Sequence, residues 1–272
     1  MKCGEYIGGT FMIFDFLDIF KEITYYFVIP LIIIATAILG IVIFSGRAKS
    51  VRFLGMNIFL SSLAWLSSKL LETLTISLGT KVMNYTALFS IAGMILGLGS
   101  TVCFCIFIHK NDGMKFIYAL LLICSVAEHV LVSLFTPVIA EFLANAGLKP
   151  EEYTYWLEML TGFSSFLLGS VSTVIVIVVL MQNRKSEKVI PFFWLIRIMS
   201  FVWSIIALAF SSIGWLSLIL AEDPGLPDAR SFFDMTQASI GFFTALVALA
   251  APIYILIASK RAIRRQNAGK EN

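Results

Sequence analysis

The chain has 272 residues, of which 59% are apolar and 14% charged, and its formal net charge is +3. A soluble domain is about half apolar and about a quarter charged, and a fold of this size could not hide the excess. The balance excludes a water-soluble enzyme, a disordered chain and a nucleic-acid binder, and it points to an all-α protein that crosses a lipid bilayer repeatedly.

The N-terminus lacks the basic start and small-residue cleavage site of a secretory signal. Residues 10–22 (TFMIFDFLDIFKE) are instead amphipathic. Asp15, Asp18 and Glu22 share one helical face, and Phe11, Phe14, Phe16, Leu17 and Phe20 cover much of the rest. The pattern predicts a short interfacial helix lying on the membrane, within an extracytoplasmic segment 1–24.

A spanning helix needs about 20 mostly apolar residues. Seven stretches qualify: 25–44, 53–78, 87–109, 116–140, 155–181, 191–220 and 233–258. They predict a seven-helix transmembrane domain over 25–259, followed by a basic tail, 260–272. Arg47, Lys49 and Arg52, then Lys110 and Lys115, then Arg184, Lys185 and Lys188, and finally the tail fall on one side. Thirteen Lys and Arg lie there and five on the other. The positive-inside rule therefore puts the N-terminus outside and the tail in the cytoplasm, and the cell membrane is the expected location. An even number of spans would break the alternation.

The first span is apolar nearly all round, so it reads as a peripheral helix facing lipid, with Pro30 bending its outer end. The third span carries Ser90, Gly93, Gly97 and Ser100 on one face, and the fifth carries Gly162, Ser165, Gly169 and Ser172. Small residues at this spacing are packing seams. Polar stripes mark four helices. The second has Asn57, Ser61, Ser68, Glu72 and Thr75 with Lys69 beside them, and the fourth has Ser125, His129, Ser133 and Thr136 with Glu128 adjacent. The sixth has Arg197, Ser200, Ser204 and Ser211, and the seventh has Gln237, Gly241 and Thr244. Together they predict a polar interior.

At about 1.5 Å per residue, Glu128 and His129 stand about 18–20 Å above the cytoplasmic start of their helix, Lys69 about 24 Å and Glu72 about 28 Å. A lone charge at such depth is costly, so a Lys69–Glu128 pair is expected. Lys69, Glu72, Glu128, His129 and Gln237 form the candidate site, an outer pocket for a small polar ligand. Bulky Phe104, Phe107, Phe116, Phe192, Phe193 and Trp194 would block its inner end.

Several mechanisms lack their residues. The seventh span has no lysine for a retinal Schiff base. His109 and His129 differ in height by about 19 Å, too far for one haem iron. Nothing supplies three clustered zinc ligands. Cys3, Cys103, Cys105 and Cys124 form no C-x-x-C pair and read as small apolar fillers. No cofactor and no enzymatic activity are expected. The remaining readings are a receptor or sensor with a cytoplasmic or membrane partner, a small-solute or ion transporter, and an assembly subunit. The sensor reading is preferred because the polar groups gather toward the outer half.

Overall fold

The structure is a computed structural model that describes residues 19–46, 51–78, 83–112, 120–124, 126, 127, 142, 145, 146, 167, 171, 174, 193–220 and 227–268. Among these residues the secondary structure is helical, broken only by short turns, and contains no strand. We number the long helices in chain order: α1 Ile19–Ser45, α2 Arg52–Leu78, α3 Met83–Asp112, α4 Phe193–Leu220 and α5 Pro227–Ala268. Helix α1 and the stretch Phe232–Arg261 of α5 are long and apolar enough to cross a membrane, while Ile91–Phe107 and Ile198–Gly214 are shorter apolar segments.

Most helices outrun the apolar stretches that predict them. Hydropathy marks the part that prefers hydrocarbon, whereas the backbone bond ladder continues into the polar flanks at no loss. The expected interfacial helix is treated differently. Ile19–Glu22 form the opening turn of α1 rather than a separate element, and the remainder of 10–22 lies outside the described residues. Between this turn and the body of α1, Thr24–Val28 adopt a π-helical turn, with the Ile29 N–H bonded to the Thr24 carbonyl. Pro30 follows directly, near the start of the regular helix. A proline ring collides with the carbonyl four residues earlier, and a widened turn relieves that crowding.

Helix α2 packs along both α1 and α3, α4 packs along α5, and α1 joins the two groups through α5. The first span, read as facing lipid nearly all round, packs one side against protein and leaves the other exposed. Ile29, Ile33, Thr36, Ala37, Gly40 and Ile43 of α1 are buried, and Ile29 is 0% exposed. Leu31, Ile34, Ile38 and Ile41 on the opposite side are exposed. An all-apolar helix gives no sequence signal for which side meets protein, because lipid tails and neighbouring side chains are equally apolar.

The α1–α2 contact is a backbone crossing. A Cβ on Gly55 would stand 2.5 Å from the Phe44 nitrogen and 2.7 Å from the Gly40 oxygen. A Cβ on Gly40 would stand 2.8 Å from the Phe59 nitrogen. The predicted small-residue seam of the third span faces α2, since the atoms nearest to a Cβ on Gly93 belong to Ser67 and Ala64. The seam of the fifth span lies outside the described residues.

Two apolar clusters stack along the bundle. One joins Ile43, Val51, Leu54, Phe104, Cys105, Phe107, Leu121 and Ile255. Phe104 and Phe107 stack within it at 6.2 Å. The other joins Ile29, Ile33 and Ala245, with Tyr25, Trp65, Leu66 and Phe242 packed against it. Cys103, Cys105 and Cys124 are free thiols, consistent with their reading as fillers.

Candidate functional site

Between the two clusters lies a cavity of about 260 Å³, walled by α1, α2, α4 and α5. Thr36 contributes from α1 and Ser200 from α4, while Ala248, Ala251 and Ile255 come from α5. Helix α2 supplies Leu54, Asn57, Ile58, Ser61, Ser62 and Trp65, the longest share. Leu54 and Ile255 also belong to the first apolar cluster, and Trp65 packs against the second. The cavity thus has an apolar floor, an aromatic roof and hydroxyl-bearing walls.

The walls are ordered by local bonds. Thr36 Oγ1 donates to the Ile32 carbonyl at 2.8 Å. Ser61 Oγ and Ser62 Oγ both donate to the Ile58 carbonyl, at 3.0 and 2.8 Å. Asn57 Nδ2 donates to the Ser100 carbonyl at 2.9 Å and to Ser100 Oγ at 2.7 Å. The Ser100 hydroxyl lies 3.1 Å from the Asn57 carbonyl, so α2 and α3 are clasped here in both directions. On α5, buried Pro252 has no N–H to offer the Ala248 carbonyl, so that oxygen loses its usual partner one turn on.

Lys69 stands one turn beyond Trp65 on α2. Its Nζ donates to Tyr25 Oη at 2.6 Å and lies 3.8 Å from the centre of that ring. A cation within about 6 Å of a ring centre is attracted by the negative π face. The sequence pattern missed Tyr25 because it reads as an interfacial aromatic near the end of a span. Gln237 sits on a different seam and donates from Nε2 to Ser211 Oγ of α4 at 3.2 Å. Lys69 therefore bridges α2 to α1, while Gln237 bridges α5 to α4. Glu72 lies in α2, its side chain outside the description. Glu128 and His129, and with them the expected Lys69–Glu128 pair, lie outside the described residues. An ion pair that the stripes did not announce joins Lys21 of α1 to Asp234 of α5 at 3.0 Å.

A larger space of about 390 Å³ lies between α4 and α5, lined by residues including Trp203, Phe210, Phe232 and Phe243. Its walls are almost wholly apolar. Trp203 Nε1 donates to Thr244 Oγ1 at 2.9 Å along the same contact. This groove lacks the convergent polar groups that would orient a ligand. Among the described residues, no three His, Cys, Asp or Glu side chains come together as a metal site.

Compared with known protein families, curated proteins and solved structures, the chain matches none.

Proposed function

We propose that the chain is a seven-span integral membrane protein of the cell membrane, with its N-terminus outside, that works as a non-enzymatic receptor or sensor. It binds a small polar molecule inside the bundle and relays a change of helix packing to a cytoplasmic or membrane partner. The observation that carries this reading is the cavity with hydroxyl-bearing walls between four helices. Its floor is the dense cluster around Leu54, Phe104, Phe107 and Ile255, at the end that the basic loops place in the cytoplasm. A ligand seated there touches four helices at once, so binding can bias how they pack. A channel would instead need a wet path through that cluster.

Two experiments test this reading. In a background without native cysteines, Gly147→Cys is expected to react with an impermeant thiol reagent on intact cells, and Lys185→Cys is not. Equal labelling would refute the seven-span arrangement. Vesicles containing the chain are expected to hold potassium and proton gradients as well as protein-free vesicles do. A saturable leak or uptake would refute the sensor and favour a transporter, the reading supported by the run of polar residues in the α2 sequence from Asn57 to Thr75.

A further inference from the structure

The hydrogen bonds of the cavity wall define the chemistry of its ligand. A hydroxyl that has given its hydrogen to a helix carbonyl presents only lone pairs. Thr36, Ser61 and Ser62 have each done so. Asn57 has turned its amide nitrogen toward Ser100, which leaves Oδ1 as its remaining polar atom. Pro252 leaves the Ala248 carbonyl without its usual donor, and Ala248 lines the same space. The polar wall is therefore rich in acceptors.

Charge narrows the class. An anion would face mostly lone pairs, against the Trp65 indole N–H and the Ser200 hydroxyl. A cation would find no Asp or Glu among the described lining residues, and Lys69, one turn above the roof, would repel it. An uncharged molecule that donates hydrogen bonds suits both conditions. The rest of the wall is apolar, with Leu54, Ile58, Trp65 and Ile255, so the body of the molecule is apolar and compact. We propose that this cavity binds a small neutral primary carboxamide, its –NH₂ directed at the oxygens of Thr36, Asn57 and Ala248, its carbonyl oxygen at the Ser200 hydroxyl and its body against Trp65. The assignment rests on the pocket reading above and gives that pocket a ligand class.

The test uses the full chain in nanodiscs, with thermal unfolding as the readout and four probes built on one phenyl ring: benzamide, N,N-dimethylbenzamide, benzoate and benzylammonium. A ligand that binds only the folded state raises the unfolding temperature with concentration. Benzamide is expected to stabilise the chain at about tenfold lower concentration than the other three, a factor equal to about 1.4 kcal/mol of binding. Thr36→Val keeps the side-chain shape and removes one acceptor. Pro252→Ala returns an N–H to Ala248. Each is expected to weaken the benzamide effect about tenfold while the unliganded protein still unfolds cooperatively, and two unrelated variants guard against one failing to fold. Equal or greater stabilisation by the dimethyl compound, or by either ion, would overturn the carboxamide assignment. If one of those probes acts and Thr36→Val abolishes its effect, the pocket stands and only the ligand class falls. If no probe stabilises the chain, the assignment is overturned, while the topology and flux measurements decide the wider reading independently.

Discussion

Replacing Gly55 with alanine puts one methyl group into the tightest contact between α1 and α2. The new Cβ would lie 2.5 Å from the Phe44 nitrogen and 2.7 Å from the Gly40 oxygen, against an ordinary contact of at least 3.4 Å. Both obstacles are backbone atoms, so no rotamer change relieves them, and the helices must part by nearly an ångström. Overpacking costs about 1–3 kcal/mol, and two rigid backbone contacts this short put Gly55→Ala in the upper part of that range, at about 2–3 kcal/mol. The higher helix propensity of alanine returns roughly 1 kcal/mol. The net expectation is a loss of about 1–2 kcal/mol for Gly55→Ala, and somewhat less for Gly40→Ala, where the nearest atom stands 2.8 Å away. Gly99→Ala is the matched control, because its Cβ would meet only the end of the Leu60 side chain, at 3.4 Å. It is expected to be neutral or slightly stabilising. Equilibrium unfolding in detergent, followed by near-ultraviolet circular dichroism, measures all three. The double variant is expected to lose less than the sum of the singles, since either methyl already separates the helices. Wild-type stability in Gly55→Ala, or an equal loss in Gly99→Ala, would refute the backbone-crossing argument.

Three further outcomes are expected. Tyr25→Phe keeps the ring over Lys69 but removes its hydroxyl acceptor, and is expected to cost about 1–3 kcal/mol in the same unfolding assay; Tyr25→Leu, which also removes the ring, is expected to cost more. Asn57→Ala and Ser100→Ala are expected to be non-additive by about 1 kcal/mol in a double-mutant cycle, the scale of side-chain bonds between membrane helices, and strict additivity would deny the clasp. Trp203→Phe is expected to destabilise the α4–α5 pair by about 1 kcal/mol through the lost bond to Thr244, and Thr244→Val in that background is expected to add little.

That the described residues are helical, where their apolar helices begin and end to within a few turns, and which face of the third span is a seam were legible in the sequence. These are local properties. A run of about 20 apolar residues must satisfy its own backbone bonds, and glycine and serine three or four apart share one face wherever the helix is placed. The polar stripe of α2 was legible for the same reason, and Asn57, Ser61 and Lys69 all take part in contacts or walls that matter. Tertiary structure decided the rest. It gave Lys69 the hydroxyl and ring of Tyr25, sent Gln237 to Ser211, and chose which side of α1 meets α2 and α5. It also drew Thr36, an inconspicuous residue in an apolar span, to the same cavity as Asn57 and Ser200. Sequence could not reveal these pairings because helix periodicity specifies which residues share a face, whereas the choice of neighbour depends on shape. Between α1 and α2 that shape is set by Gly40 and Gly55, whose missing side chains let two backbones meet where lipid and protein are otherwise equally apolar.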